Sequence, residues 1–430
     1  MEDNGMNLMN TQRYQEYKDS GVQWLGEIPG HWEKVKLKVF CKENKEKNKG
    51  NIESCVLSLS YGKVIIKQNI NFGLVPDNYE NYQIVNPGYI ILRLTDLQND
   101  HRSLRTGLVR NRGIITSAYV GLVLKDIDSE YTQLLLHTID IMKVFYGMGG
   151  GLRQSMSYTD IANMYIPVPP LSEQRAIVSY LDSKCEKIDK MIEGKEKQIA
   201  LLQELKQRTI ADAVTRGLNP DVKMKATNIS WLEEIPEHWK VHRAKYMFNK
   251  EQRPILKDDE IVTCFRDGEV TLRKNRRISG FTEATDYSHY QHICKGDLVI
   301  HQMDAFAGSS GVSDSDGMGT PVLSVCTAKS GDINNFYYAH ILRLMGRNGY
   351  ILSLYRGIRE RSSDFRFDTF AKQWLPLPPI SEQRAIVSYI NERTEKIDTL
   401  TSKLQQEIES IKEYKQRLIS DVVTGQIKVC

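Results

Sequence analysis

The chain has little that would carry chemistry by itself. Its seven cysteines, Cys41, Cys55, Cys185, Cys264, Cys294, Cys326 and Cys430, are odd in number, irregular in spacing and form no C-x-x-C. That excludes a thiol-redox pair and gives no disulfide framework, and it fits reduced thiols in a cytoplasmic protein. No apolar run approaches the roughly 18 residues of a membrane span. No early basic segment precedes an apolar run, so no signal peptide is expected. Charge of one sign is lacking too: 58 Lys and Arg face 54 Asp and Glu, for a net +4. That balance is a weak hint of polyanion binding and no more.

Catalytic signatures are also absent. There is no G-x-x-x-x-G-K-[ST] and no H-E-x-x-H. No [DN]-P-P-[FYW] run, of the kind that holds a flipped base, is present. The nearest strings, VPP at 168–170 and LPP at 377–379, lack the amide or carboxylate, and PDVK at 220–223 lacks the second acid of a nuclease pattern. GMGGG at 147–151 leads into no phosphate-binding helix and reads as a turn. His289, His292, Cys294 and His301 fall within thirteen residues, and such ligands can bind zinc. The matching places 208 positions earlier hold Asn81, Ile84, Asn86 and Arg93. A metal would therefore serve one copy only, and none is expected.

What is present is a long direct repeat. Residues 165–189 read YIPVPPLSEQRAIVSYLDSKCEKID, and residues 374–398 read WLPLPPISEQRAIVSYINERTEKID. WLGEIPGHW at 24–32 returns as WLEEIPEHW at 231–239, YQIVNPG at 82–88 as YQHICKG at 290–296, and KQRTIADAVT at 206–215 as KQRLISDVVT at 415–424. One unit is thus used twice. Between the shared entry and exit the copies diverge, which suggests two modules doing one kind of job on different targets.

The exits predict long helices. Pro167, Pro169 and Pro170 fix an extended approach. Ser172 and Ser381 stand at expected N-caps, followed by Glu173 and Glu382 in the first turn, where the helix dipole favours acid. Leu181, Ile188 and Leu202 continue on a seven-residue lattice to Thr209, interrupted by Lys195. Ile390, Ile397, Leu404, Ile411 and Leu418 are each seven apart. Ile177, Met191 and Leu205 add a row to the first stripe, and Leu400, Ile408 and Tyr414 widen the second. Sustained heptads indicate coiled-coil packing. About 40 residues of helix would span about 60 Å. Residues 172–217 carry nine Lys/Arg and eight Asp/Glu, which suits a solvated spacer better than a DNA-wrapping arm.

The inserts read as mixed α and β. Tyr82–Leu94 and Tyr119–Leu124 alternate as strands, and Tyr131–Val144 looks helical. Ile293–Met303, Val322–Ala328 and Phe336–Leu344 follow in the same order. Positive charge gathers in these inserts. Arg102, Arg105, Arg110 and Arg112 lie in an acid-free stretch, Arg273, Lys274, Arg276 and Arg277 form a denser tract, and Arg356, Arg359 and Arg361 make a third. Gln302, Ser309, Ser310 and Ser313 occupy a Gly/Ser-rich loop. Such loops can clamp phosphates and read base edges.

The duplicated W-L-G-E-I-P-G-H-W opening, the paired P-P-L-S-E-Q-R-A-I and P-P-I-S-E-Q-R-A-I entries and the K-Q-R…T-x-G ends resemble the specificity subunits of Type I restriction–modification systems. The likeness covers nearly the whole chain. It departs modestly where Arg216-Gly217 becomes Gly425-Gln426. The resemblance implies an α+β architecture of two duplicated mixed α/β target recognition domains, separated by two long antiparallel coiled-coil helices in pseudo-two-fold relation. The expected boundaries are an N-terminal extension at 1–20, the first recognition domain at 21–170, a spacer helix at 171–217, a linker at 218–230, the second recognition domain at 231–379 and a second spacer helix at 380–425. It implies a non-catalytic, double-stranded-DNA-binding subunit that reads a bipartite site. Two partner methyltransferase subunits would use S-adenosylmethionine to modify adenine N6. Restriction subunits would use ATP and Mg2+. The chain itself would need no cofactor. The alternatives are a tandem nucleic-acid-binding scaffold outside restriction, and a coiled-coil adaptor with two protein-binding heads.

Overall fold

The computed structural model describes residues 12–67, 78–97, 104–148, 155–277, 279–280, 286–354 and 365–429. They fall into two compact units, Met1–Lys195 with Gln405–Cys430, and Glu196–Leu404. Each unit therefore contains one insert and a part of each of two long helices.

In the first unit the chain runs through β1 (Glu33–Lys36), β2 (Cys41–Glu43), β3 (Ile90–Leu92), β4 (Thr106–Leu108), β5 (Val120–Leu124), α1 (Ser129–Ile141) and β6 (Tyr165–Val168) into α2 (Leu171–Arg216). An antiparallel four-stranded sheet has the order β2-β5-β3-β4. Every residue of β3 is buried, which explains why it is a short apolar run without alternation. Asp128 caps α1 by accepting from the Glu130 and Tyr131 N–H groups at 3.0 Å each. The helix then buries Tyr131, Leu135 and Ile139, one residue per turn on one face. β1 and β6 form a separate antiparallel ribbon at the root of the insert.

The second unit repeats this plan with other residues. It contains β7 (Lys240–Arg243), β8 (Phe248–Glu251), β9 (Leu298–His301), β10 (Ser310–Val312), β11 (Leu323–Ala328), α3 (Asn335–Arg347) and β12 (Trp374–Leu377), then α4 (Ile380–Val423). Its sheet order is β8-β11-β9-β10, the same arrangement, and β7 with β12 is the matching ribbon. Asn334 caps α3 through Phe336 N and Tyr337 N, and Tyr337, Ile341 and Met345 face the core. The strand–strand–helix order expected of both inserts is present.

The helices begin two residues earlier than serine caps at 172 and 381 would place them. Leu171 and Ile380 are the first helical residues, so Ser172 and Ser381 lie inside. The carbonyl of Pro170 accepts from Glu173 and Gln174, and that of Pro379 from Glu382 and Gln383. Pro170 and Pro379 thus precede the first helical residues, and their carbonyls accept the first backbone bonds of each helix.

Within the first unit α2 and α4 run antiparallel, with Asp189 paired to Lys415 at 2.6 Å and Lys195 to Glu407 at 2.5 Å. Within the second, Lys206 reaches Asp398 at 2.7 Å. Leu181, Ile390, Ile397, Ile408 and Leu418 are buried, while Ile188, Leu202, Leu404 and Ile411 are half-buried. Leu205 and Leu400 do not join the stripe, being 52% and 50% exposed. Lys195, which breaks the apolar lattice, uses that position for its ion pair. Among the described residues no helix is long and apolar enough to cross a membrane.

Candidate nucleic-acid interface

Both candidate surfaces are carried on the same kind of frame, and the repeated motifs build it. In the first unit Glu173 accepts from Trp32 Nε1 at 3.1 Å, contacts His31 Nε2 at 2.9 Å and accepts from Tyr14 Oη at 2.5 Å. In the second, Glu382 accepts from Trp239 Nε1 at 3.0 Å and contacts His238 Nε2 at 2.9 Å. The next residue ties the helix to the insert. Gln174 donates to the Pro169 carbonyl and accepts from the Asp128 N–H, at 2.8 Å each. Gln383 does the same with Pro378 at 2.8 Å and Asn334 at 2.9 Å. S-E-Q-R therefore fixes the H-W entry with its glutamate and the cap of the insert helix with its glutamine.

On this frame the predicted cations divide. Arg105 is fully buried, and its guanidinium donates to the carbonyls of Arg93, Thr95 and Asp96 and to Tyr146 Oη. It ties a loop together from inside, so the expectation that it meets DNA is corrected. Basic residues of one tract look alike in sequence, but this one follows Leu104 into the buried strand β4. Arg110 pairs with Glu130 at 2.9 Å, and Arg112 reaches Glu53 at 3.2 Å and Asn86 Oδ1 at 2.7 Å. Two backbone N–H groups and Arg112 hold the Glu53 carboxyl below its ordinary range. Arg102, Arg356, Arg359 and Arg361 lie outside the described residues.

In the second unit Arg273, Lys274 and Asn275 form a short 3-10 turn after the Val262–Cys264/Val270–Leu272 hairpin. Lys274 pairs with Glu260. Arg276 pairs with Asp267 at 2.7 Å and Glu269 at 2.8 Å, and its guanidinium lies 4.3 Å over the Phe265 ring. Those carboxylates raise its already high pKa. Arg277 donates to the Ser279 and Gly280 carbonyls. Lys274, Arg276 and Arg277 are exposed, and Arg273 is half-buried. Exposed ion pairs are weak, so a phosphate can replace the carboxylate partner.

The Gly/Ser-rich loop differs from expectation. Ser309, Ser310 and Ser313 are buried, and Gln302 is turned inward to Pro321 and Ser324. The histidine–cysteine cluster also breaks up. His292 gives Nδ1 to Asp259 at 2.9 Å, and His301 Nδ1 accepts from the Asp304 N–H at 3.1 Å. His292, Cys294 and Asp316 have donor atoms within 4.8 Å of one another, but Asp316 is exposed and already accepts from the Lys295 N–H.

Sequence reasoning missed the hairpin tips. Leu57–Ser60 pairs with Lys63–Ile66, leaving Tyr61 88% exposed at the turn. The corresponding hairpin of the second unit exposes Arg266, paired with Asp304 at 3.0 Å. The signal available was a short β-run around Y-G, which fits a two-residue turn.

Two mixed α/β units of equal sheet order, each rooted on long helices by the same Glu–Trp and Gln–cap bonds, define a duplicated scaffold with divergent surfaces. The chain is similar to Type I restriction–modification specificity subunits. The signature of the Type I restriction modification DNA specificity domain matches residues 29–201. The chain is 25% identical over 280 residues to the Type I restriction enzyme MjaVIII specificity subunit of Methanocaldococcus jannaschii, covering 62% of this chain and 63% of that protein. It is 23% identical over 298 residues to the putative MjaX specificity subunit of the same organism, covering 64% and 62%. The alignment thus spans less than two thirds of these curated relatives. A chain from a structure addressing complex assembly and conformational transition of the type I R-M system superposes with a TM-score of 0.65 at 15% identity, over 92% of this chain and 98% of that one. The HsdS subunit from Thermoanaerobacter tengcongensis gives 0.54 at 16% identity, over 93% and 98%. These two likenesses establish the fold.

Proposed function

We propose that this chain is a sequence-specific DNA-binding specificity subunit that reads a bipartite site. The observation that carries the reading is one frame used twice, with equal sheet order and unlike exposed side chains. Each insert would use its cations on phosphates for register and a few side chains on base edges. Arg110, Arg112, Arg273, Lys274, Arg276 and Arg277 are the described candidates. The near-neutral helices would fix the gap between half-sites, so that spacing contributes specificity without contact to the intervening bases. Two readers on a stiff connection also gain effective concentration over either alone.

The subunit addresses and does not catalyse. Two methyltransferase subunits would dock on it and modify adenine N6 with S-adenosylmethionine, after the base leaves the stack. Restriction subunits would add ATP- and Mg2+-dependent cleavage. The chain needs no cofactor in this scheme and acts in the cytoplasm. The target recognition domains would span 21–170 and 231–379, with spacer helices at 171–217 and 380–425.

Mapping methylated adenines after mixing the chain with methyltransferase subunits and methyl donor tests this. One modified adenine per half-site, on opposite strands, is expected, with none from this chain alone. Changing the spacer by one base pair should weaken recognition, and exchanging residues 231–375 should alter only the second half-site. Methylation of the same sequence without this chain would overturn the addressing role. A contiguous site would overturn the bipartite reading.

A further inference from the structure

The second unit holds a cavity of about 620 Å³ that the basic tracts do not line. Lys206 and Arg208 of α2 wall it on one side, and His340, Arg343 and Arg347 of α3 on another. The last three recur at helical spacing and share one face. The α2 cations are already engaged, Lys206 with Asp398 at 2.7 Å and Arg208 with Asp212 at 3.6 Å. The α3 arginines differ. Arg343 gives Nη2 to His340 Nδ1 at 2.8 Å and Nη1 to the Asp267 carbonyl at 3.2 Å, neither of which is an anion. Among the described residues no carboxylate is ion-paired with Arg343 or Arg347. Of the acids on the wall, Asp267 is held by Arg276 at 2.7 Å, and Glu204 stands on α2.

Two adjacent guanidiniums with no ion-paired carboxylate are unfavourable, although the Asp267 charge nearby favours Arg343 in part. Desolvation, and then the charge of Arg347, bring Arg343 down to about 10, and desolvation lowers Arg347 although part of it reaches solvent. The fold nevertheless makes room for Arg343. Gly268 has a φ of +90°, and a Cβ there would strike the Arg343 side chain. An anion placed between the guanidiniums would remove the repulsion and supply strong, charge-assisted hydrogen bonds.

We propose that this cavity is an oxyanion site in which Arg343 and Arg347 hold a phosphate group. A DNA backbone phosphate and a free phosphate share this chemistry. Assigning the DNA source rests on the function proposed above, whereas the site itself does not.

The test uses the full chain and the Arg347→Gln variant, whose exposed side chain should not be needed for folding. Calorimetric titration with inorganic phosphate at fixed ionic strength measures the site directly. Salt titration of duplex binding measures the DNA contact. Saturable phosphate binding that Arg347→Gln weakens about tenfold, and Arg347→Lys partly restores, is the expected result. If DNA supplies the phosphate, Arg347→Gln also reduces the salt slope by about 0.9, and phosphate competes with the duplex. If a free phosphate is the ligand, that slope is unchanged. No saturable phosphate binding together with an unchanged slope, or phosphate binding equal in wild type and Arg347→Gln, overturns the proposal. Failure of the wild type to bind any duplex would instead overturn the DNA reading and leave the phosphate titration standing.

Discussion

Trp32 donates its indole N–H to Glu173 across 141 residues of chain, and Trp239 does the same to Glu382 across 143. The two bonds are the same joint made twice. Each closes an insert by binding its entry to the helix that leaves it, so the residues between can change while the frame stays the same.

Removing the acceptor should leave a buried donor unpaired. Glu173→Ala is expected to destabilise the first unit by about 1–3 kcal/mol. Glu382→Ala should cost less, because its side chain is 24% exposed against 8% for Glu173, so water can replace the carboxylate. Urea denaturation of both variants checks the order. An equal loss, or none, would show that the joint is not what holds the entry.

Neutralising Arg273, Lys274, Arg276 and Arg277 together should weaken binding to duplex DNA and flatten its salt dependence, by about 0.9 in log–log slope for each cation that meets a phosphate. Arg105→Gln should behave differently. Its side chain is buried and its donors serve three backbone carbonyls, so thermal stability falls first and any DNA effect follows unfolding. Unchanged affinity and slope in the tract variant would return those residues to the role of solvated ion pairs.

The helix stripe has an internal control. Ile397→Asp with Leu404→Asp places acids at a buried and a half-buried position, at an expected cost of about 2 kcal/mol or more. Split-site recognition and methyltransferase-subunit docking should be lost with it. Leu400→Asp, at a 50% exposed position on the same helix, should change stability by no more than about 0.5 kcal/mol. Circular dichroism alongside assembly assays separates the two. Equal behaviour of both variants would show that the heptad positions are not the packed ones.

Burial, with the nearby charges of Arg343 and Arg347, brings the His340 imidazole down to about 3. Folded protein therefore keeps His340 neutral at pH values where the unfolded chain, near 6.5, takes up a proton. Stability from this group is complete above about 6.5 and declines as pH falls toward 3, since protons then favour the unfolded state. Denaturation midpoints between pH 7.5 and 5 should fall more steeply in wild type than in His340→Gln. Parallel profiles would show that His340 is not buried neutral.

Much of this was legible in the order of residues. The repeat announces two units, because near-identity at offsets of about 208 cannot arise from two unrelated cores. Ile390, Ile397, Leu404, Ile411 and Leu418 announce a long helix, because helical periodicity is local. Asp128 and Asn334 cap their helices as short polar side chains do. What the tertiary structure alone decided is exposure and partnership. Arg105 and Arg112 are the same residue type seven apart, yet one is buried among carbonyls and the other faces Glu53. Arg343 and Arg347 lie in an ordinary amphipathic helix, and only the closing of α2 and α4 around α3 places them at a cavity. Periodicity and capping depend on neighbours within a turn or two, which the sequence lists in order. Burial and ion pairing depend on which distant segments close over a side chain, and that is settled only when the chain folds.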